Sequence, residues 1–84
     1  MNSKHAKTLS DIFARPTRRS IPFRDAEALV RGLGGEVRER EGSRVSFRMN
    51  GRVWNTHRPH PGKDMKTYQV GEIRDWLQLL GVKP

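Results

Sequence analysis

The residues Ser43–Met49, SRVSFRM, alternate in polarity without a break, and Asn50-Gly51 follows directly. This combination constrains the fold more than any other feature of the chain. Alternation puts Val45, Phe47 and Met49 on one face of a strand and Arg44, Ser46 and Arg48 on the other. Asn-Gly is the strongest short hairpin signal, because a type I′ turn needs positive φ at both central residues. The chain is therefore expected to turn back, with Arg52–His57 as the partner strand. The parity of that strand stays open, since Val53 and Trp54 are adjacent and cannot both face one core. Upstream, Glu36–Arg40 is short and mostly charged, as an edge strand would be, and Gly42 and Ser43 turn the chain into the hairpin.

Helical spacing marks three further segments. Residues 3–13 place Ala6, Leu9, Ile12 and Phe13 on one face, with Ser3 as the expected N-cap and Pro16 helping to end the helix. The connector ARPTRRSIP is basic and irregular. A second helix is expected over Arg24–Leu33, with Phe23, Ala26, Leu29, Val30 and Leu33 as its apolar stripe. Asp25 and Glu27 lie near its positive end. Gly34 and Gly35 stop it, one of them in a left-handed conformation. The loop RPHPGKDMKT is stiffened by Pro59 and Pro61. A last helix from about Val70 to Leu80 carries Val70, Ile73, Trp76, Leu77 and Leu80, and Gly81 closes it. The expected architecture is α+β, a three-stranded antiparallel sheet with helices on one face and the other face left to solvent. No internal repeat is visible.

The chain has 84 residues, enough for one domain with a small core. Seventeen Lys and Arg face nine Asp and Glu, a net charge of +8. That excess favours polyanions and speeds encounter with them. Arg outnumbers Lys twelve to five, and its planar fork of donors suits phosphate. The lack of cysteine excludes disulfides and thiolate metal sites. No apolar run approaches the roughly 18 residues that span a bilayer. MNSKHAKTLSDIF lacks the apolar centre and cleavage site of a signal peptide. A soluble, cytoplasmic protein without a membrane partner is expected.

The open sheet face would carry Arg44, Ser46 and Arg48, and the segments beside it Arg52, Arg58, Lys63 and Lys66. Clustered, these cations would hold phosphates; a merely solvated polar face would show the same alternation. His57 and His60 stand three apart in HRPH. Two histidines around a proline, with no third ligand near, make a poor metal site, so no metal or other cofactor is expected. An imidazole can take and give a proton near neutral pH. RNA cleavage needs a base for the ribose 2′-OH, an acid for the leaving oxygen and cations at phosphorus, all of which this stretch could supply. His5 has no evident role. Trp76 falls in an apolar stripe and reads as core. Trp54 could be core or a stacking surface, and Tyr68 could be either. Walker loops, Gly-x-Ser-x-Gly elbows and paired carboxylates are absent.

The ordered set of GG-E-V-R-E-R-E-GSR, the F-R-M-NG-R-V hairpin, HRPHPGKDMK and VGEIRDWLQLLGV resembles the HicA family of bacterial toxins. The resemblance covers about residues 23–84 and leaves residues 1–22 as an N-terminal helix and basic connector. It implies a fold like the double-stranded-RNA-binding domain, α-β-β-β-α, with the first helix as an addition. It also implies the toxin of a type II toxin–antitoxin pair, which cleaves mRNA without a metal. A HicB-type antitoxin would neutralise it, and contact with operator DNA would come only through that antitoxin. Members typically carry a catalytic histidine after the Gly-Ser of the first hairpin, and Arg44 stands there in this chain. Arg is a poor base, because it stays protonated, but it can stabilise a charged phosphorane. On this reading Arg44, His60 and His57 are the catalytic candidates, with His60 as first proton-transfer group and His57 as second. Arg48, Arg52, Arg58, Lys63 and Lys66 would hold the RNA backbone. A non-catalytic RNA-binding module of the same fold is the alternative that Arg44 raises.

Overall fold

The computed structural model describes residues 1–84. Three helices and three strands follow in the order α1 (Ser3–Phe13), α2 (Phe23–Gly32), β1 (Glu36–Glu39), β2 (Arg44–Met49), β3 (Arg52–His57) and α3 (Thr67–Leu79). The sheet is antiparallel with spatial order β1-β2-β3, so β1 is an edge strand as expected. The architecture is α+β. The α-β-β-β-α order runs from α2 to α3, with α1 in front.

Asn50 and Gly51 both adopt positive φ, 50° and 78°, and close the β2–β3 hairpin as a type I′ turn requires. The turn sets the register. Val45 lies opposite Thr56, Phe47 opposite Trp54, and Met49 opposite Arg52. Trp54 therefore shares the inner face with Phe47 and is buried, whereas Val53 faces out and is 41% exposed. The parity left open by the sequence is resolved in favour of Trp54 as core. Its indole Nε1 donates to Glu72 Oε1 at 3.0 Å, which satisfies the one polar atom that burial would strand.

Phe47 is the centre of the core. Its ring meets Phe23 of α2 edge-on at 5.7 Å, Trp54 of β3 at 4.9 Å and Trp76 of α3 at 6.3 Å. Val30, Leu29, Ile73 and Leu77 belong to the same buried cluster. α2 packs on β1 and β2, α3 packs on β3, and α1 packs against both helices.

Three helix details differ from expectation. Asn2, not Ser3, caps α1: its Oδ1 accepts from His5 N at 2.7 Å. The buried face of α1 is Thr8, Leu9 and Ile12, with His5 half-buried, while Ala6 is exposed. His5 has a packing role after all, because its ring lies over Gly32, where a Cβ would come within 2.6 Å of the ring. α3 begins at Thr67, three residues before the apolar stripe. Gln69 explains the early start, since its Oε1 accepts from Lys66 N at 2.9 Å and satisfies a donor that the first turn leaves free.

Arg74 of α3 lies in the interior with no carboxylate beside it. Its guanidinium donates to Ile12 O at 2.9 Å, Ala14 O at 3.4 Å and Thr17 Oγ1 at 3.1 Å. The two carbonyls are groups left free where α1 ends, and the Thr17 hydroxyl belongs to the connector that follows, so Arg74 caps α1 from another element. Truncation would strand buried carbonyls. Arg74→Ala is expected to lower stability by about 2–4 kcal/mol in urea unfolding and to loosen α1 first, read as faster amide exchange over residues 3–13.

Candidate functional site

The register that buries Phe47 and Trp54 also builds the opposite face. Cα partners Glu36–Arg48, Arg38–Ser46 and Arg48–Val53, Ser46–Asn55, Arg44–His57 put three rows outside. Arg40 adds to the β1 row, with its N donating to Arg44 O at 2.8 Å. The open face thus presents Arg38, Arg40, Arg44, Arg48 and His57, with Glu36 the one acid among them. Arg38 and Arg40 were not singled out from the sequence, and their signal was simply the alternation continued back into the edge strand.

Ser46 lies on this face but is buried, because a network covers it. Its Oγ donates to Asn55 Oδ1 at 2.7 Å and accepts from Arg40 Nε at 3.2 Å. The three side chains tie β1, β2 and β3 together on their outer side, and they hold Arg40 beside Arg44.

Arg44 and His57 stand directly opposite each other at the end of the hairpin, both exposed. Arg58 N donates to Ser43 O at 2.7 Å, so the next pair along is hydrogen-bonded and the Arg44–His57 pair is the close, non-bonded kind. Their Cβ atoms are then about 4.5–5.5 Å apart. Ser43 Oγ lies 3.2 Å from His57 Nδ1. That contact occupies one ring nitrogen and leaves Nε2 free to meet a ligand. The His57 carbonyl is held as well, by Gln69 Nε2 at 2.7 Å, while Gln69 also donates to Thr56 Oγ1 at 2.8 Å. Buried Gln69 thereby fastens the first turn of α3 to the end of β3.

Between these two elements lies an open cleft of about 220 Å³, lined by Ser43, His57, Arg58, Pro59, His60, Lys66, Tyr68 and Gln69. His57, His60 and Lys66 come together here, with Arg44 beside His57. A separate, smaller hollow of about 80 Å³ on the sheet is lined by Arg40, Arg44 and His57 among others. His57 is common to both.

The remaining candidates are spread more widely. Arg48 lies four residues along β2 from Arg44, about 13 Å away. Arg52 sits at the hairpin end, opposite Met49 and on the helix side by parity, though exposed. Lys63 lines a separate hollow of about 190 Å³ with Phe23, Arg24 and Pro59.

Arg58 is committed to protein partners. Following His57 on the ladder, it points to the opposite side of the sheet, toward α2. There it forms a two-pronged pair with Glu27, at 3.2 and 3.1 Å, and reaches Glu39 at 3.0 Å. It also lies over the Phe23 ring, 5.3 Å from its centre. The Glu27 hydrogen bonds raise the guanidinium pKa above its ordinary value against the lowering effect of burial, and the charges of Glu27 and Glu39 add to the rise. The pair closes over a Glu27 side chain only 8% exposed. Sequence alternation alone could not show this, since the partner carboxylate is 31 residues away.

Residues 23–82 match the family model described as the HicA toxin of bacterial toxin–antitoxin systems. The chain belongs to the HicA toxin family. The match takes in Arg44, His57, His60 and Lys66, and it begins at the first residue of α2. Neither a curated protein nor a solved structure matches the chain at a significant level. As a HicA-family protein, it is a toxin of the toxin–antitoxin class. None of its helices is long and apolar enough to cross a membrane.

The Arg58 cluster should be felt in stability. Arg58→Ala leaves a nearly buried Glu27 unpaired and is expected to cost about 2 kcal/mol, toward the low end for such pairs because Arg58 is itself 40% exposed. Arg58→Lys should recover only part of this, since an ammonium cannot bridge both carboxylate oxygens. Urea unfolding of the two variants measures both effects.

Proposed function

We propose that this chain is the toxin of a type II toxin–antitoxin pair and a metal-independent endoribonuclease that cleaves mRNA. The single observation that supports this reading best is the Arg44–His57 pair. It places a permanent cation and an imidazole side by side, both exposed, and His57 also lines the cleft that holds His60 and Lys66.

The chemistry follows from those groups. The ribose 2′-oxygen attacks the adjacent phosphorus while an imidazole takes its proton. The P–O5′ bond breaks, and the departing oxygen receives a proton from the second imidazole. The products are a 2′,3′-cyclic phosphate and a 5′-hydroxyl, with no oxidant, metal or cofactor consumed. Arg44 supplies positive charge at the pentacoordinate phosphorus, the role left to it when it cannot act as base. His57 and His60 carry the protons, and His57 is the better placed because it faces Arg44. Lys66 holds a phosphate in the same cleft, and Arg48 holds one further along β2. Arg52 and Lys63 extend the contact to the hairpin end and the far side of Pro59. Arg58 contributes chiefly by fixing the strand end through Glu27, with its exposed edge facing the cleft.

A HicB-type antitoxin is the proposed protein partner, covering the basic face with acidic groups. Operator DNA would be reached only through it. Arg44, at the position where the family resemblance implies a histidine, favours a second reading, an RNA-binding module of the same fold that does not cut.

Variants distinguish the readings. In EDTA, with antitoxin-free protein and single-stranded RNA, His57→Ala and His60→Ala are each expected to slow cleavage about 10²- to 10⁴-fold. Arg44→Ala should slow it about 10²- to 10³-fold. All three positions are exposed, so the fold should survive. Cleavage unchanged in both histidine variants would refute the assigned chemistry. RNA bound but uncut by the parent protein would establish the second reading. Binding itself should weaken with salt, and Arg40→Ala or Arg48→Ala should each reduce the log–log salt slope by about 0.7.

A further inference from the structure

The chain has six aromatic residues, and five are accounted for by packing. Phe23, Phe47, Trp54 and Trp76 are buried in the core, and Phe13 packs against it. Tyr68 alone stands out, 58% exposed, in contact with no other aromatic ring. It lies on the wall of the cleft that also holds His57, His60 and Lys66. Tyr68 is the second residue of α3, so it rides on a helix and not on a loop. That helix is fastened to β3 by its neighbour, as Gln69 donates to both His57 O and Thr56 Oγ1. The backbone that carries the ring is thus held at a fixed offset from the strand end that carries His57.

An exposed ring on an anchored helix, beside cations, is what a nucleobase stacks on once it leaves its own stack. Bases present a π-face whatever their identity, and the neighbouring cations take the phosphates. A paired base inside a duplex has both faces covered by its neighbours and cannot lie on such a ring. We infer that Tyr68 is a stacking platform for one unpaired base next to the phosphate held at His57. The ligand class is single-stranded RNA, although the fold resembles a duplex-binding domain. This deepens the function proposed above and rests on it for the identity of the polymer. It predicts little base preference at this position, because stacking reads the ring face and no hydrogen-bond pattern.

The test is affinity for a mixed-sequence 2′-fluoro strand, which lacks the attacking hydroxyl and cannot be cut. Binding is therefore read apart from catalysis. Tyr68→Ala is expected to weaken binding about 5- to 100-fold, and Tyr68→Phe to leave it unchanged. Alanine is a good helix former, so the exposed substitution should not unfold α3. Two further probes make the result specific. The same strand annealed to its complement should bind the parent and Tyr68→Ala alike. The same strand with abasic sites in place of bases should do so too. A Tyr68→Ala protein that binds the single strand as tightly as the parent overturns the inference, as does an equal loss on the abasic strand. If the parent fails to cut ordinary RNA yet shows the Tyr68 effect on the uncleavable strand, the platform stands and the catalytic reading falls.

Discussion

The β2–β3 register is the constraint on which the rest of the molecule depends. It is set by a turn in which Asn50 and Gly51 both take positive φ. Because side chains alternate along a strand, a slip of one residue would exchange the faces. Trp54 would leave Phe47 and enter water, and His57 would be driven under the sheet. The correct register does two things at once. It gathers Phe47, Trp54 and Val45 against the helices, and it aligns Arg44 with His57 on the outside. Core and site are therefore not separate properties of this chain. One hairpin produces both.

The strand end is then secured from three directions. Gln69 holds the His57 carbonyl from α3, Ser43 Oγ holds the His57 ring from across the ladder, and Glu27 and Glu39 hold Arg58 from α2 and β1. An exposed histidine on an unsupported strand end would sample many positions. Here its backbone and one ring nitrogen are both engaged, so little ordering remains to be done when a ligand arrives. α1 contributes at a distance by packing on α2 and α3, with Arg74 capping its last turn.

Much of this was legible in the sequence because it is periodic. The hairpin, the edge strand and the stripes of α2 and α3 follow from residues a few positions apart, and the match to the HicA family covers the same span. The parity of β3 was not legible. Val53 and Trp54 are both apolar, and only the register chooses between them. The roles of Arg58 and Arg74 were invisible for another reason: their partners lie 31 and up to 62 residues away, and no local pattern marks a cation committed to a distant protein partner. Thr8 and His5 displaced Ala6 from the inner face of α1 because Thr8 Oγ1 can satisfy itself on Lys4 O at 3.1 Å and the imidazole fits over Gly32. The candidate site was legible as a list of residues. Its arrangement was not, since the list could not show that Arg44 faces His57, that Arg58 turns inward, or that Arg40 belongs to the same surface.

The central claim is that an arginine and two histidines, with no histidine at the position of Arg44, suffice to cleave RNA. The most direct measurement is mass analysis of RNA ends after incubation with purified, antitoxin-free protein in EDTA. The account predicts fragments carrying 2′,3′-cyclic phosphate and 5′-hydroxyl ends, the signature of attack by the neighbouring ribose. Fragments with 5′-phosphate ends would mean that water was the nucleophile, and RNA recovered intact would mean that the cleft binds without cutting. Either result would contradict the chemistry assigned to Arg44, His57 and His60.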